Sequence, residues 1–178
     1  MALLTLRVYP DPVLKKKAEP VQPGEPDVAA TLADMAETMY AGNGVGLAAP
    51  QVGLSKRLVV IDVPGTDGAP GSGLIYLVNP RIVARQGTTA FVEGCLSFPG
   101  LEVEVKRATS VIVEFENETG QTRTREASGV LAVCVQHELD HLDGILFVDR
   151  VGPVRRRLSL HEYNRSRARA ASKEDAEE

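Results

Sequence analysis

His137 and His141 stand four residues apart in His137-Glu138-Leu139-Asp140-His141. On a helix this spacing puts both imidazoles on one face about one turn apart, where they can take adjacent positions on a single metal ion. Glu138 falls about 100° further round, beside such an ion rather than on it. There a carboxylate can take a proton from an activated water and pass it to a leaving group. The bland alternative is a pair of satisfied surface histidines. Against it stands the unbroken apolar run Val130–Val135 just before the motif, because a helix apolar all round is a buried one. Buried imidazoles need partners, and a metal supplies them.

A catalytic ion takes a third protein ligand and keeps a position open. Cys95, in Glu93-Gly-Cys-Leu-Ser-Phe-Pro99, is favoured: its thiolate is a strong ligand beside a glycine that lets backbone approach. Cys134 competes from the helix itself, although a turn already holding two histidines is crowded and a buried cysteine is usually a small apolar residue. Val130, Val133 and Cys134 lie within about 60° of His137 on the wheel and are expected to line an apolar pocket next to the metal. Gln136, Asp140 and Asp143 share the opposite arc and are expected to face water or polar neighbours. For Asp140 the alternative is to orient a ligand histidine from behind.

Several elements must position these groups. Ser128 can cap the motif helix and Gly144 suits the left-handed residue after its last turn. Residues 7–24, with four prolines and Lys15-Lys16-Lys17, read as an extended surface arm with solvated lysines. Val28, Leu32, Met35 and Met39 predict a helix with an apolar face, Pro26 near its first turn and Gly42 at its end. Gly42–Gly53 holds four glycines in twelve residues and is expected to be a loop with unusual backbone angles and a close chain approach; the phosphate-loop pattern is missing. In it, Gln51 either stabilises a turn or donates to a developing oxyanion. Strands are expected at 58–63, 74–78, 81–84, 88–93 and 101–105, with a break at Asn79-Pro80 and a surface loop at 64–73. Thr109–Glu116 and Thr122–Arg125 predict a hairpin.

The order helix, strands, helix, helix suits one α+β domain over residues 1–170, its antiparallel or mixed sheets arranged around the buried motif helix. At 178 residues one domain can bury about 70% of its unfolded surface. With 43% hydrophobic residues, 25% charged and a net charge of −4, nothing points to DNA or a membrane. Two cysteines and no visible export signal point to the cytoplasm. Val151, Val154 and Leu158 predict an apolar face for a last helix. Its span 153–170 holds six arginines against Glu162; that face reads as solvated surface, with a ribosome or RNA contact as the alternative. Residues 171–178, four acids against Lys173, read as an unstructured tail.

Three blocks stand in order: Gly44-Val-Gly-Leu-Ala-Ala-Pro-Gln51, Glu93-Gly-Cys-Leu-Ser97 and Gln136-His-Glu-Leu-Asp-His141. Together they resemble the signature motifs of peptide deformylases, metalloenzymes that remove the formyl group from the N-terminal formyl-methionine of new proteins. The resemblance covers about residues 5–165. It implies Cys95, His137 and His141 as metal ligands, Glu138 as general acid/base, and Gln51 with the Leu96 N–H as the groups holding the carbonyl oxygen. It implies backbone groups of Val45, Gly46 and Gly94 for a substrate lying as an added strand, and Phe91, Val130, Val133 and Cys134 around the methionine side chain. Arg107 falls where the family keeps a basic residue that orders the site. The resemblance further implies Fe²⁺, with Zn²⁺ or another divalent ion able to take its place, and N-formylmethionyl nascent peptides as substrates. Phe98, Pro50 and Glu102 depart from common family residues and bear on the preference after methionine.

Two rivals use the same residues differently. A thermolysin-type zinc peptidase would take its third ligand from Glu162 or His161. A non-catalytic module stabilised by a closed metal site would bind through the Arg155–Arg169 face.

Overall fold

The computed structural model describes residues 2–22, 25–65 and 70–177. Residues 23–24 of the expected arm, 66–69 of the expected surface loop and Glu178 lie outside the described residues. The elements are α1 (Val28–Ala41), β1 (Gly46–Ala48), β2 (Leu58–Ile61), β3 (Ile75–Gln86), β4 (Thr89–Glu93), β5 (Val103–Arg107), β6 (Ser110–Glu116), β7 (Thr122–Ser128), α2 (Gly129–Leu142) and α3 (Pro153–Glu177). Five strands pair antiparallel in the order β1-β2-β3-β6-β7, and β4 pairs with β5 as a separate two-stranded sheet. This is an α+β domain with antiparallel sheets.

The unbroken apolar run of β2 has a direct cause: both faces of the large sheet are covered there. Val59 and Ile61, with Ile75 and Leu77 of β3, pack with Val135, Leu139 and Leu142 of α2. Leu58, Val60 and Val78 pack on the other side with Leu32, Met35 and Met39 of α1. Strand alternation thus sends successive residues to different helices. Further along, only one face of β6 is used, and Val111, Val113 and Phe115 join the α2 side.

Strand β7 runs straight into α2. Ser128 is still paired with Ser110 and stands at the N-cap position with extended backbone (φ −135°), but its side chain makes no capping hydrogen bond, contrary to expectation. Gly129, at φ 57°, makes the turn from strand to helix. At the far end Gly144 is left-handed (φ 71°), and a methyl group on it would sit 2.5 Å from the Lys15 carbonyl oxygen. The arm passes at that point: Leu14 and Ala18 are buried, and the Ala18 N–H donates to the Leu142 carbonyl at 2.8 Å. The lysines 15–17 remain exposed.

Two sequence expectations change. Residues 74–84 do not form two strands: β3 continues through Asn79-Pro80, with an irregular register between Val78 and Arg81. Asn79 tolerates φ 51°, and its side chain is held by the backbone N–H and carbonyl of Val21, so the bulge is anchored rather than a break. The face expected for α3 is not the packed one, since Val154 and Leu158 are 74% and 64% exposed. Instead Leu160 and Tyr163 pack with Tyr9, Phe98 and Phe147, where aromatic rings offer more area to bury. Helix α3 itself runs through Glu177.

Candidate metal centre

Helix α2 presents His137 and His141 with ring centroids 5.0 Å apart. Cys95 comes from the turn after β4, and its Sγ lies 3.3 Å from His141 Nε2. One ligand atom from each of Cys95, His137 and His141 lies within 4.8 Å of the other two, the one such group among the described residues. Glu162 and His161, the third ligands a thermolysin-type site would use, are exposed on α3 outside it. Cys134 is buried with its Sγ 3.7 Å from the Val45 carbonyl, and burial, then the charges of Glu138 and Glu93, pushes its thiol well up. The group that could hold an ion thus includes Cys95 and not Cys134.

The residues present fit a divalent ion. A thiolate with two imidazoles is a strong donor set for Fe²⁺ or Zn²⁺. Beside them Glu138 Oε2 is buried with no hydrogen-bond partner in the protein. Burial works to lower the His137 pKa, yet Cys95 and Glu93 hold it well above the ordinary imidazole value. Surroundings that draw a proton onto an imidazole draw a cation. His141, by contrast, is kept neutral by burial and by the positive charge at His137 and Arg107.

Behind the ligands runs a chain of ion pairs of which the sequence reveals only parts. The His137 Nδ1–H donates to Glu93 Oε2 at 2.8 Å, which aims Nε2 at the centre. Burial raises the Glu93 carboxyl, but Arg107 and His137 overcome it and hold it below the usual range. Arg107 grips Glu93 through Nε and Nη2 at 2.7 and 2.9 Å and donates from Nη1 to Asp140 at 2.6 Å. Arg150 Nε closes the series on Asp140 at 2.9 Å. Asp140 is therefore buried between two guanidinium groups rather than solvated, because the arc opposite the metal faces β5 and the segment after α2. Gln136, on the same arc, is also buried and holds both backbone groups of Ala108. Arg107 does not line the cleft and orders the site from behind.

Gln51 stabilises a turn, the first of its two readings, and its amide nitrogen faces the cysteine. Its Oε1 accepts from the Ala48 N–H at 2.8 Å, fixing the turn, which leaves Nε2 facing Cys95 Sγ at 3.5 Å and Ser97 Oγ at 3.2 Å. The glycines before it serve close approach more than unusual angles. A methyl on Gly46 would sit 2.5 Å from Glu138 Oε1, and one on Gly44 would sit 2.7 Å from Leu96 Cδ1. In this stretch only Asn43 and Gly53 have positive φ, and Gly46 lies in β1. Burial pushes the Glu138 carboxyl up to about 7, the range of a group that takes and returns a proton near neutrality.

In front of these groups opens a cleft of about 590 Å³, in the range of small-ligand sites. Val45, Phe91, Val130, Val133 and Cys134 give it apolar walls, with Gly46, Gly94 and Leu96 beside Cys95, Gln51 and Glu138.

A buried H-E-x-x-H helix and a cysteine turn meeting at such a cleft in an α+β domain define a metal-dependent hydrolase. Comparison with known proteins narrows the class. Residues 3–157 match the family polypeptide deformylase. A peptide deformylase of Thermodesulfovibrio yellowstonii is 46% identical over 92% of this chain and 98% of its own. Among solved structures, a peptide deformylase from Legionella pneumophila is 39% identical with a TM-score of 0.86, covering 96% of this chain and 98% of that one. One from Thermus thermophilus is 42% identical with a TM-score of 0.82, covering 97% and 99%. The chain belongs to the polypeptide deformylase family.

Proposed function

We propose that the protein hydrolyses the N-formyl amide at the N-terminal formyl-methionine of newly made polypeptides, giving formate and a free amino terminus. The observation that carries this reading is the convergence of Cys95, His137 and His141 beside Glu138, a buried acid with one oxygen unpartnered, at the wall of an apolar cleft. Cys95, His137 and His141 would hold a divalent ion, which would supply Lewis acidity toward the formyl carbonyl and make water a readier acid near neutral pH.

The remaining work falls to the protein. Glu138 takes the proton of the attacking water and returns it to the departing amine. Gln51 Nε2 and the Leu96 N–H donate to the oxygen as it gains charge; Gln51 needs no reorganisation, because Ala48 already fixes its amide. Backbone groups of Val45, Gly46 and Gly94 hold the peptide as an added strand. Phe91, Val130, Val133 and Cys134 take the methionine side chain. Arg107 acts through Glu93 on the orientation of His137, without touching substrate. A formyl group has only hydrogen on its carbonyl carbon, so a narrow site excludes acetyl and larger groups.

Fe²⁺ is the working ion in this reading, with Zn²⁺ or another divalent ion able to replace it. Residues 1–170 form the catalytic unit, nascent chains in the cytoplasm are its substrates, and the arginine-rich α3 is the segment for any ribosome contact. The test is an assay of the full chain loaded with Fe²⁺ or Zn²⁺ under conditions that protect the thiolate. Formate is expected from formyl-Met peptides and no acetate from acetyl-Met peptides. Cleavage of internal peptide bonds, or no formate with either ion, overturns the reading.

A further inference from the structure

The side of α2 turned away from the cleft looks onto a second cavity, of about 680 Å³. Six cations line it: Arg57, Arg81, Arg85, Lys106, Arg107 and Arg150. The chain as a whole carries −4, so this concentration is not the by-product of a basic protein. Four carboxylates answer the six cations. Arg57 donates to Asp143 at 2.8 Å and Arg81 to Glu114 at 2.6 Å. Arg107 and Arg150 share Glu93 and Asp140 in the buried series behind His137. Arg85, near the end of β3, and Lys106, on β5, have no acidic partner among the described residues, and both are exposed.

The cavity therefore carries four cations in completed ion pairs and two, Arg85 and Lys106, whose positive charge is unanswered among the described residues. A low-dielectric wall focuses such a field on an anion. Guanidinium groups match the geometry of phosphate, and the volume suits a small ligand. Two unpaired cations match a phosphate dianion, where a carboxylate would answer only one. We propose that this cavity is a phosphate-binding site, separate from the cleft and across α2 from it. Its occupant is the phosphate of a small phosphorylated molecule or of a nucleic-acid backbone.

The test uses the metal-loaded full chain, titrated calorimetrically with inorganic phosphate and, separately, with a short single-stranded RNA. The Arg85→Gln/Lys106→Gln pair is compared with an Arg165→Gln/Arg169→Gln pair on α3. Binding of inorganic phosphate, weakened about tenfold or more by the first pair with formate release unchanged, supports the site and a small-molecule source. Binding of RNA alone, weakened by the same pair, supports the site with the backbone as its source. Binding of neither probe, or a loss that follows the α3 pair instead, overturns the proposal.

Discussion

On the cleft side of α2, Glu138 Oε2 is buried with no hydrogen-bond partner, and the imidazoles of His137 and His141 gather beside Cys95. On the opposite side Gln136 holds the backbone of Ala108 and Ala132, and both oxygens of Asp140 are taken by Arg107 and Arg150. Both sides bury polar groups, and an unsatisfied one costs about 1–3 kcal/mol. The rear side removes that cost with partners inside the protein. The front side leaves it standing, which is what a site must do if its groups are to meet an ion and a substrate. One helix thus divides reactivity from rigidity across its axis, and its neighbours determine which side is which.

Substitutions on the two sides should fail differently. The largest effect is expected from Glu138→Gln, which removes the proton carrier and no ligand. Formate release should fall by about 10²–10⁴-fold while the bound metal, measured by elemental analysis, stays the same; near-normal turnover would remove Glu138 from the mechanism. Arg107→Met on the rear side leaves Glu93 and Asp140 buried beside one missing partner. Urea unfolding should register a loss of about 3–5 kcal/mol, with metal affinity weakened about 10–100-fold through His137. If stability held and only turnover dropped, the division between the sides would be wrong.

Cys95→Ala and Cys134→Ala separate ligand from packing within the cleft itself. The first should weaken metal binding by more than the roughly hundredfold ceiling typical of an indirect partner. The second should leave affinity nearly intact, and a chelator competition reversing that order would transfer the ligand role to Cys134. Smallest is Gln136→Leu, which strands the Ala108 N–H and carbonyl. It should cost about 1–3 kcal/mol by thermal or urea melts, with the rate per folded molecule unchanged.

What was legible in the sequence was what lies close along the chain. The spacing of His137 and His141, the apolar run before them and the glycine beside Cys95 report local geometry, and the structure brings these residues together. The rear side was hidden because its meaning lies in contacts between distant segments. Glu93, Asp140 and Arg150 look like ordinary surface charges until the fold sets Arg107 among them. One signal was available: Asp140 lies between two buried histidines in a helix with few charges. At Asn79-Pro80 local turn chemistry suggested a break, and the long pairing of β3 with β6 prevailed. In α3 a sparse apolar spacing suggested a face that the aromatic cluster around Tyr163 did not use. For Gln51 two readings share one side chain, and the contact of its oxygen with the Ala48 N–H bears out the turn.

The meeting of the arm with the end of α2 bears on the order of assembly. Ala18 is tied to the carbonyl of Leu142, and Gly144 lets Lys15 pass where any side chain would hold it off. The arm's landing place lies more than a hundred residues downstream, so during synthesis the arm cannot be seated before α2 has been made. Because that landing place immediately follows His141, the same moment that seats the amino-terminal arm also finishes the helix end beside the last metal ligand.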